Sequence, residues 1–351
     1  MNINRRVFLF GGTAITAITL GQLGKSQPSL AQSRRMNLYS SRHYDTDQSL
    51  YDTFQSDSGA RVNMIEAGAG ELMERIKSEG RNSPADVLLT VDAGNLWRAQ
   101  QDGLFQAVDS DFLNEKIPAS RRDPDGFWYG FSERARVIFY NKANVDPSEL
   151  STYEALADRK WRGKILLRSS TNIYNKSLVA SRIAIHGEDT AEDWVKGIFA
   201  NFARPPEGND TAQIKACAAG IGDIAIANSY YFARLARSSD PADRDVIDKV
   251  GIFFPNQGAG ERGTHVNISG GGVLKNSPNR AAAIAFLEHL AKPVSQRLFS
   301  DGNNEYPVVK DVEWSDTLMS FGRFNIDNLN VAEYGKNQLE AVQMMDRAGW
   351  T

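Results

Sequence analysis

Short apolar runs, some alternating with polar residues, recur along this chain between longer stretches whose apolar positions return every three or four residues. Interleaved strand and helix signatures of this kind mark an α/β protein. Met36 to Ser40 reads as a first strand, Asp47 to Gln55 as a helix, and Arg61 to Glu66 as a second strand. Gly68-Ala69-Gly70 opens a helix through Ile76, Ala85 to Thr90 is a buried strand, and Asn95 to Gln101 is the next helix. The same style resumes near Val137, with a strand to Asn141, a helix over Leu150 to Ala157, and a strand over Lys164 to Leu167. Helices follow at Asn175 to His186 and Ala191 to Asn201, then a strand from Ile224 to Ala227 and a helix to Ala236. Strand character returns at Val250. Gly258 to Gly272 is glycine-rich, which suits a crossing segment or backbone-lined loop as well as an ordinary surface loop. Helices over Arg280 to Ala291 and Val331 to Ala348 close the chain.

Repeated βα winding on this scale predicts two α/β lobes with mostly parallel sheets flanked by helices and a ligand cleft between them. The expected division is 32–132 with 256–351 as the first lobe and 133–255 as the second. The segment 1–31 stands apart as an export signal. Asn4-Arg5-Arg6-Val7-Phe8-Leu9 supplies a twin-arginine start, Phe10 to about Leu23 an apolar stretch, and Ser29-Leu30-Ala31 a small-residue cleavage site. The apolar stretch is short and rich in Gly and Thr for a membrane span, which leaves an uncleaved anchor as the lesser alternative. The predicted destination is the periplasm, with a cytoplasmic or thylakoid-associated pool as a further option.

Cleavage leaves 320 of the 351 residues and removes three basic residues and no acid, so 37 Lys and Arg face 43 Asp and Glu and the formal charge is −6. A mildly acidic chain without a basic block argues against nucleic acid and anionic membrane surfaces as partners. The one cysteine, Cys217, excludes internal disulfides and thiolate metal clusters. Four histidines, His43, His186, His265 and His289, show no pair at metal-binding spacing on one helix, and no Gly-X-Ser-X-Gly nucleophile motif is present.

Candidate chemistry lies instead with tyrosine. Among eleven tyrosines, Tyr44, Tyr174 and the adjacent Tyr230 and Tyr231 each fall just past a predicted strand, in strand-to-helix turns contributed by both lobes. Tyr39, Tyr51, Tyr129, Tyr140 and Tyr153 are assigned to packing, the usual role of a tyrosine in an α/β protein. Phenolate oxygen is a hard anionic donor suited to ferric iron, and a bound cation of that charge strips the phenol proton. Four phenolates would bring −4 against +3, so a cationic neighbour is required. Arg234, three residues after Tyr231 on the same helical face, and Arg134 are the expected second-layer cations, with Arg42 a further candidate.

Ser41-Arg42-His43-Tyr44, Tyr174-Asn175, Asn228-Ser229-Tyr230-Tyr231-Phe232-Ala233-Arg234 and Gly260 to Asn267 resemble the ferric-iron-binding proteins of ABC transporters, most of all the cyanobacterial Fut-type proteins. The resemblance runs through essentially all of the mature chain, with Ser-Tyr-Tyr its most diagnostic segment. It implies a class II periplasmic-binding-protein fold, Fe(III) as bound ligand, delivery to an inner-membrane ABC permease, and binding without turnover; a monomer is expected. Some relatives use a histidine before the first tyrosine as a further ligand. His43 therefore stands between a ligand role and a hydrogen-bonding or solvent-exposed one. The other readings are capture of a different small ligand, an anion or polyamine, in the same fold, an iron-dependent oxidoreductase, and an iron-sequestering stress protein.

Overall fold

A computed structural model describes residues 35–351; the expected signal and its cleavage site lie outside the described residues. Among the described residues no helix is long and apolar enough to cross a membrane. Nine strands form the framework: β1 Arg35–Ser40, β2 Arg61–Glu66, β3 Val87–Val91, β4 Tyr129–Asn141, β5 Ile165–Leu166, β6 Ile224–Asn228, β7 Val250–Phe253, β8 Val266–Val273 and β9 Tyr306–Pro307. They run in the order β2-β1-β3-β8-β4-β6-β5, with β7 and β9 also paired to β4.

The sheet is mixed, not mostly parallel as expected. β1 is parallel to β2 and β3, and β5 to β6, but β8 runs antiparallel to β3, and β4 is antiparallel to all four of its partners. The cause is β4. Its alternation was legible only over Val137 to Asn141, yet the strand begins at Tyr129 and is buried along almost its whole length. Ser132, Glu133, Arg134 and Arg136, all buried, break the apolar pattern of its first part. That part pairs with β8 and β9, and the remainder with β6 and β7, so one strand serves both lobes.

The glycine-rich stretch is a crossing segment that ends as β8. A Cβ at Gly270 would lie 2.4 Å from the Tyr129 carbonyl oxygen, at Gly271 2.6 Å from that of Leu88, and at Gly272 2.2 Å from that of Phe127. Only glycine lets this strand fit between β3 and β4.

One further expectation is corrected. Leu150 to Ala157 contains one short 3-10 turn, Glu154–Ala157, and follows another, Pro147–Glu149, instead of forming a helix. The Tyr153 amide donates to Asn256 Oδ1 and the Ser151 carbonyl accepts from the Asn256 amide, so the neighbouring loop takes the groups an α-helix would use. The last helix, Gln338–Ala348, packs against Ile173–His186 and Glu188–Ala200. Its apolar face of Ala341, Met344 and Met345, extended by Trp350, shares one core cluster with Trp194, Val195 and Ile198.

His265, in the crossing segment, is buried against Tyr334 with ring centroids 4.7 Å apart. Burial, then the surrounding Arg182, Arg136, Arg121 and Arg134, hold its imidazole well below the ordinary value. A histidine kept neutral in the folded chain contributes stability that is present above its unfolded pKa of about 6.5 and is lost as pH falls below it. Between pH 7 and pH 5 unfolding free energy should fall by up to about 2 kcal/mol on this account. Buried Asp92, raised to about 6 chiefly by desolvation, opposes this by gaining stability as pH falls. The check is chemical denaturation of wild type and His265→Phe at both pH values. The loss attributable to His265 is the difference between the two proteins, in which Asp92 cancels.

Candidate metal centre

Each of the four tyrosines is aimed by the local structure that ends a strand and begins a helix. After β1 the chain turns through Ser41, whose hydroxyl donates to Thr90 Oγ1, and Tyr44 caps the 3-10 turn Asp45–Asp47. Tyr174 lies in the first turn of Ile173–His186, where Asn172 Oδ1 caps the helix by accepting from the Tyr174 amide at 3.1 Å. Tyr230 and Tyr231 open Ser229–Ala236 directly after β6, and the Asn228 amide that precedes them donates to buried Asp210.

These turns bring all four phenols together. The Tyr174 and Tyr230 hydroxyls are 3.4 Å apart. The Tyr44 ring meets that of Tyr230 edge-on with centroids at 6.4 Å, and the Tyr230 and Tyr231 rings lie 4.1 Å apart. Tyr230 is buried, and the other three are partly buried. The tyrosines assigned to packing behave differently. Tyr39 donates to Glu79 and Tyr129 to the Val108 carbonyl, while Tyr153 bonds the Arg136 carbonyl, each away from this cluster.

Three arginines surround the cluster. The Arg42 guanidinium is 4.8 Å from the Tyr44 ring centroid and Arg134 is 5.4 Å from that of Tyr174. Arg234 sits 5.6 to 5.8 Å from the rings of Tyr44, Tyr230 and Tyr231. Arg42 and Arg134 are buried and Arg234 is exposed, so the first two form the floor and the third the mouth. Arg42 holds Asp47 with two hydrogen bonds of 2.6 and 3.1 Å.

Sequence reasoning missed the group that organises this floor. Glu305, fully buried, accepts from Arg42 at 3.0 Å, Ser132 Oγ at 2.7 Å, Ser269 Oγ at 3.4 Å and the Tyr44 hydroxyl at 3.3 Å, with Arg134 at 3.7 Å. It lies 263 positions from Arg42 in a segment, Asn303-Asn304-Glu305, with no local pattern that marks it. Burial alone would raise its carboxyl, but Arg42 and Arg134 hold it below the usual range. Tyr44, Tyr230 and Tyr231 move the other way. Burial, then Glu305, pushes Tyr44 far above the ordinary tyrosine value. Burial and then the Tyr174, Tyr44 and Tyr231 phenols do the same to Tyr230, and burial raises Tyr231 to about 12.

His43 turns outward. Its side chain is 61% exposed and its Nδ1 lies 2.6 Å from Glu66 Oε1 at the end of β2. His186 pairs with Glu154, and His265 and His289 are buried elsewhere. Among the described residues no group of three or more His, Cys, Asp or Glu is arranged to hold a metal ion. The hard donors gathered at this site are the phenols and Glu305.

Residues 49–320 match the family model of the bacterial extracellular solute-binding proteins. The chain belongs to that family. This solute-binding protein is 60% identical over 99% of both chains to iron uptake protein A2 of Synechocystis. Its structure is similar to that of Trichodesmium FutA (IdiA) in complex with iron and citrate, with a TM-score of 0.88, 63% identity, and coverage of 90% of this chain and 100% of the other. It is equally similar to apo FutA2 of Synechocystis, with a TM-score of 0.88, 61% identity, and coverage of 91% and 100%. The two-lobed binding-protein fold expected from βα winding is the fold of this family.

Removing Glu305 would leave two buried guanidinium groups short of charge. Glu305→Ala is expected to cost about 3–5 kcal/mol, the usual penalty for breaking a buried pair from one side, with Glu305→Gln losing less. Urea denaturation of the two variants against wild type measures this.

Proposed function

We infer that this protein is the iron(III)-binding component of an ABC importer, capturing ferric iron in the cleft between its lobes and passing it to a membrane permease. The observation that carries the reading is the convergence of Tyr44, Tyr174, Tyr230 and Tyr231 at one point, in a chain that closely matches iron uptake proteins. The four phenolates are the ligands. They suit a small, hard, trivalent cation better than the stacking faces and carboxylates that a polyamine would need, and better than the hydroxyl and amide donors that an anion would need. Bound iron supplies the charge that removes their protons.

Charge bookkeeping supports the assignment. Arg42 and Arg134 are balanced by Asp47 and Glu305, whereas Arg234 has no ion-pair partner among the described residues. Four phenolates with Fe(III) leave one negative charge, and Arg234 at the mouth offsets it. Arg134 steadies the Tyr174 side from below. His43, engaged with Glu66, serves outside the ligand set.

The protein acts in the periplasm, exported through the twin-arginine pathway, and binds without chemical turnover. It works as a monomer, since all four phenols come from one chain, and it has no nucleic-acid partner, since its net charge is mildly acidic. Residues 35–132 and the greater part of 256–351 make the first lobe, and 133–255 the second, with the C-terminal helix Gln338–Ala348 seated on the second.

A ferric–phenolate complex absorbs visible light through ligand-to-metal charge transfer. Titration of residues 32–351 with Fe(III) citrate should give a coloured one-to-one complex, and Tyr230→Phe with Tyr231→Phe should abolish the colour. A colourless wild type would refute the tyrosine site. Because Tyr44, Tyr230 and Tyr231 are neutral near pH 7 in the empty site, binding must release their protons, and affinity must fall as pH falls. Calorimetry in buffers of different ionisation enthalpy counts the protons released, and a count near zero would contradict phenolate ligation.

A further inference from the structure

Asp92 is strained, buried and joined to three separate elements. It follows β3 directly with φ 75° and ψ 127°, a left-handed backbone region that a residue carrying a Cβ rarely adopts. Its amide donates to the Ile268 carbonyl of β8 at 2.9 Å. One carboxylate oxygen caps the helix Ala93–Gln101 by accepting from the Gly94 amide at 2.8 Å, and the same oxygen accepts from Ser177 Oγ at 2.8 Å. The other accepts from Asn267 Nδ2 of β8, again at 2.8 Å.

A helix cap needs one acceptor and an ordinary extended backbone. The second oxygen, the unusual φ and the serine contact are therefore in excess of capping. Backbone strain at a buried side chain persists where its surroundings over-determine it, and such places gather at functional sites. The serine contact shows where the excess leads. Ser177 lies on Ile173–His186 one turn beyond Tyr174 and on the same side, since residues three apart on a helix are neighbours. Asp92 belongs to the part of the sheet that carries β1 and Tyr44, while Ile173–His186 follows β5 in the other part. The Ser177–Asp92 hydrogen bond thus ties the helix bearing Tyr174 to the lobe bearing Tyr44.

We propose that Asp92 and Ser177 are a positioning pair for iron capture, fixing the Tyr174 phenol against the ligand contributed by the opposite lobe. The pair touches neither metal nor phenol. It acts through the orientation of one helix turn. The proposal rests on the ferric–phenolate reading above, and the test separates the two.

Iron-loaded wild type and Ser177→Ala are mixed with excess EDTA, and the decay of the visible band is followed. Losing a hydrogen bond to a charged acceptor should speed iron release about tenfold and shift the band maximum, a spectral change that a lower melting temperature of the iron-free protein would not by itself produce. In a Tyr174→Phe background Ser177→Ala should then change the release rate less than about twofold, because the residue it positions no longer ligates. Wild-type release and an unshifted band in Ser177→Ala would overturn the proposal, as would an acceleration that persists undiminished in the Tyr174→Phe background. A coloured wild type with an unaffected variant defeats this proposal alone, whereas a colourless wild type defeats the ferric reading and this proposal with it.

Discussion

Two buried arginines and two buried acids at the floor of the cleft make the rest of the site possible. Taking any one of these charges out of water costs several kcal/mol unless a partner and hydrogen bonds replace the solvent. Glu305 satisfies that demand for both Arg42 and Arg134 while accepting from Ser132 and Ser269, and Asp47 takes the other edge of Arg42. The floor is neutral as a result. Tyr44 rests on it through both a hydrogen bond to Glu305 and the face of its ring on Arg42. A neutral floor leaves the phenols to decide the charge of whatever enters, and the raised pKa values of Tyr44, Tyr230 and Tyr231 keep those three phenols neutral in the empty site.

The floor can exist only because distant parts of the chain are forced together by two strands. β4 holds Ser132 and Arg134 in its first part and pairs with β6, which leads into Tyr230, in its second. β8 lies between β3 and β4, brings Ser269 under Glu305 and Asn267 to Asp92, and needs glycine at three consecutive positions to come so close. Residues that look out of place in a strand pattern, such as a glutamate and two arginines within β4, are the ones that line the junction of the lobes. Polar side chains in a buried strand are costly unless paired, and here each meets a partner from another element.

Much of this was readable from the chain. Strand-to-helix turns are marked by local signals, so Tyr44, Tyr174, Tyr230 and Tyr231 could be placed at the carboxyl ends of strands before any fold was known, and their hard-donor chemistry named the class of ligand. The need for positive charge pointed to Arg134 and Arg234, the second also through its helical spacing from Tyr231, and both guanidinium groups lie beside the phenol rings. Nothing local pointed to Glu305 or Asp92. Glu305 sits in an asparagine-rich turn like many others, and Asp92 reads as a plain helix cap, because their importance comes from partners tens to hundreds of positions away. His43 was left open by the sequence between a ligand and an exposed, hydrogen-bonding role, and the fold directs it outward to Glu66.

The amino-acid sequence was sufficient for the α/β class, the two-lobed plan and the four phenols, because periodicity, turn chemistry and donor hardness are properties of short segments and single side chains. Strand direction, the extent of β4, the seat of the C-terminal helix and the identity of the buried counter-charges were decided only by tertiary structure. Each depends on which segments meet in space, and a charge or hydrogen bond acquires its value from the partner and the burial it finds there.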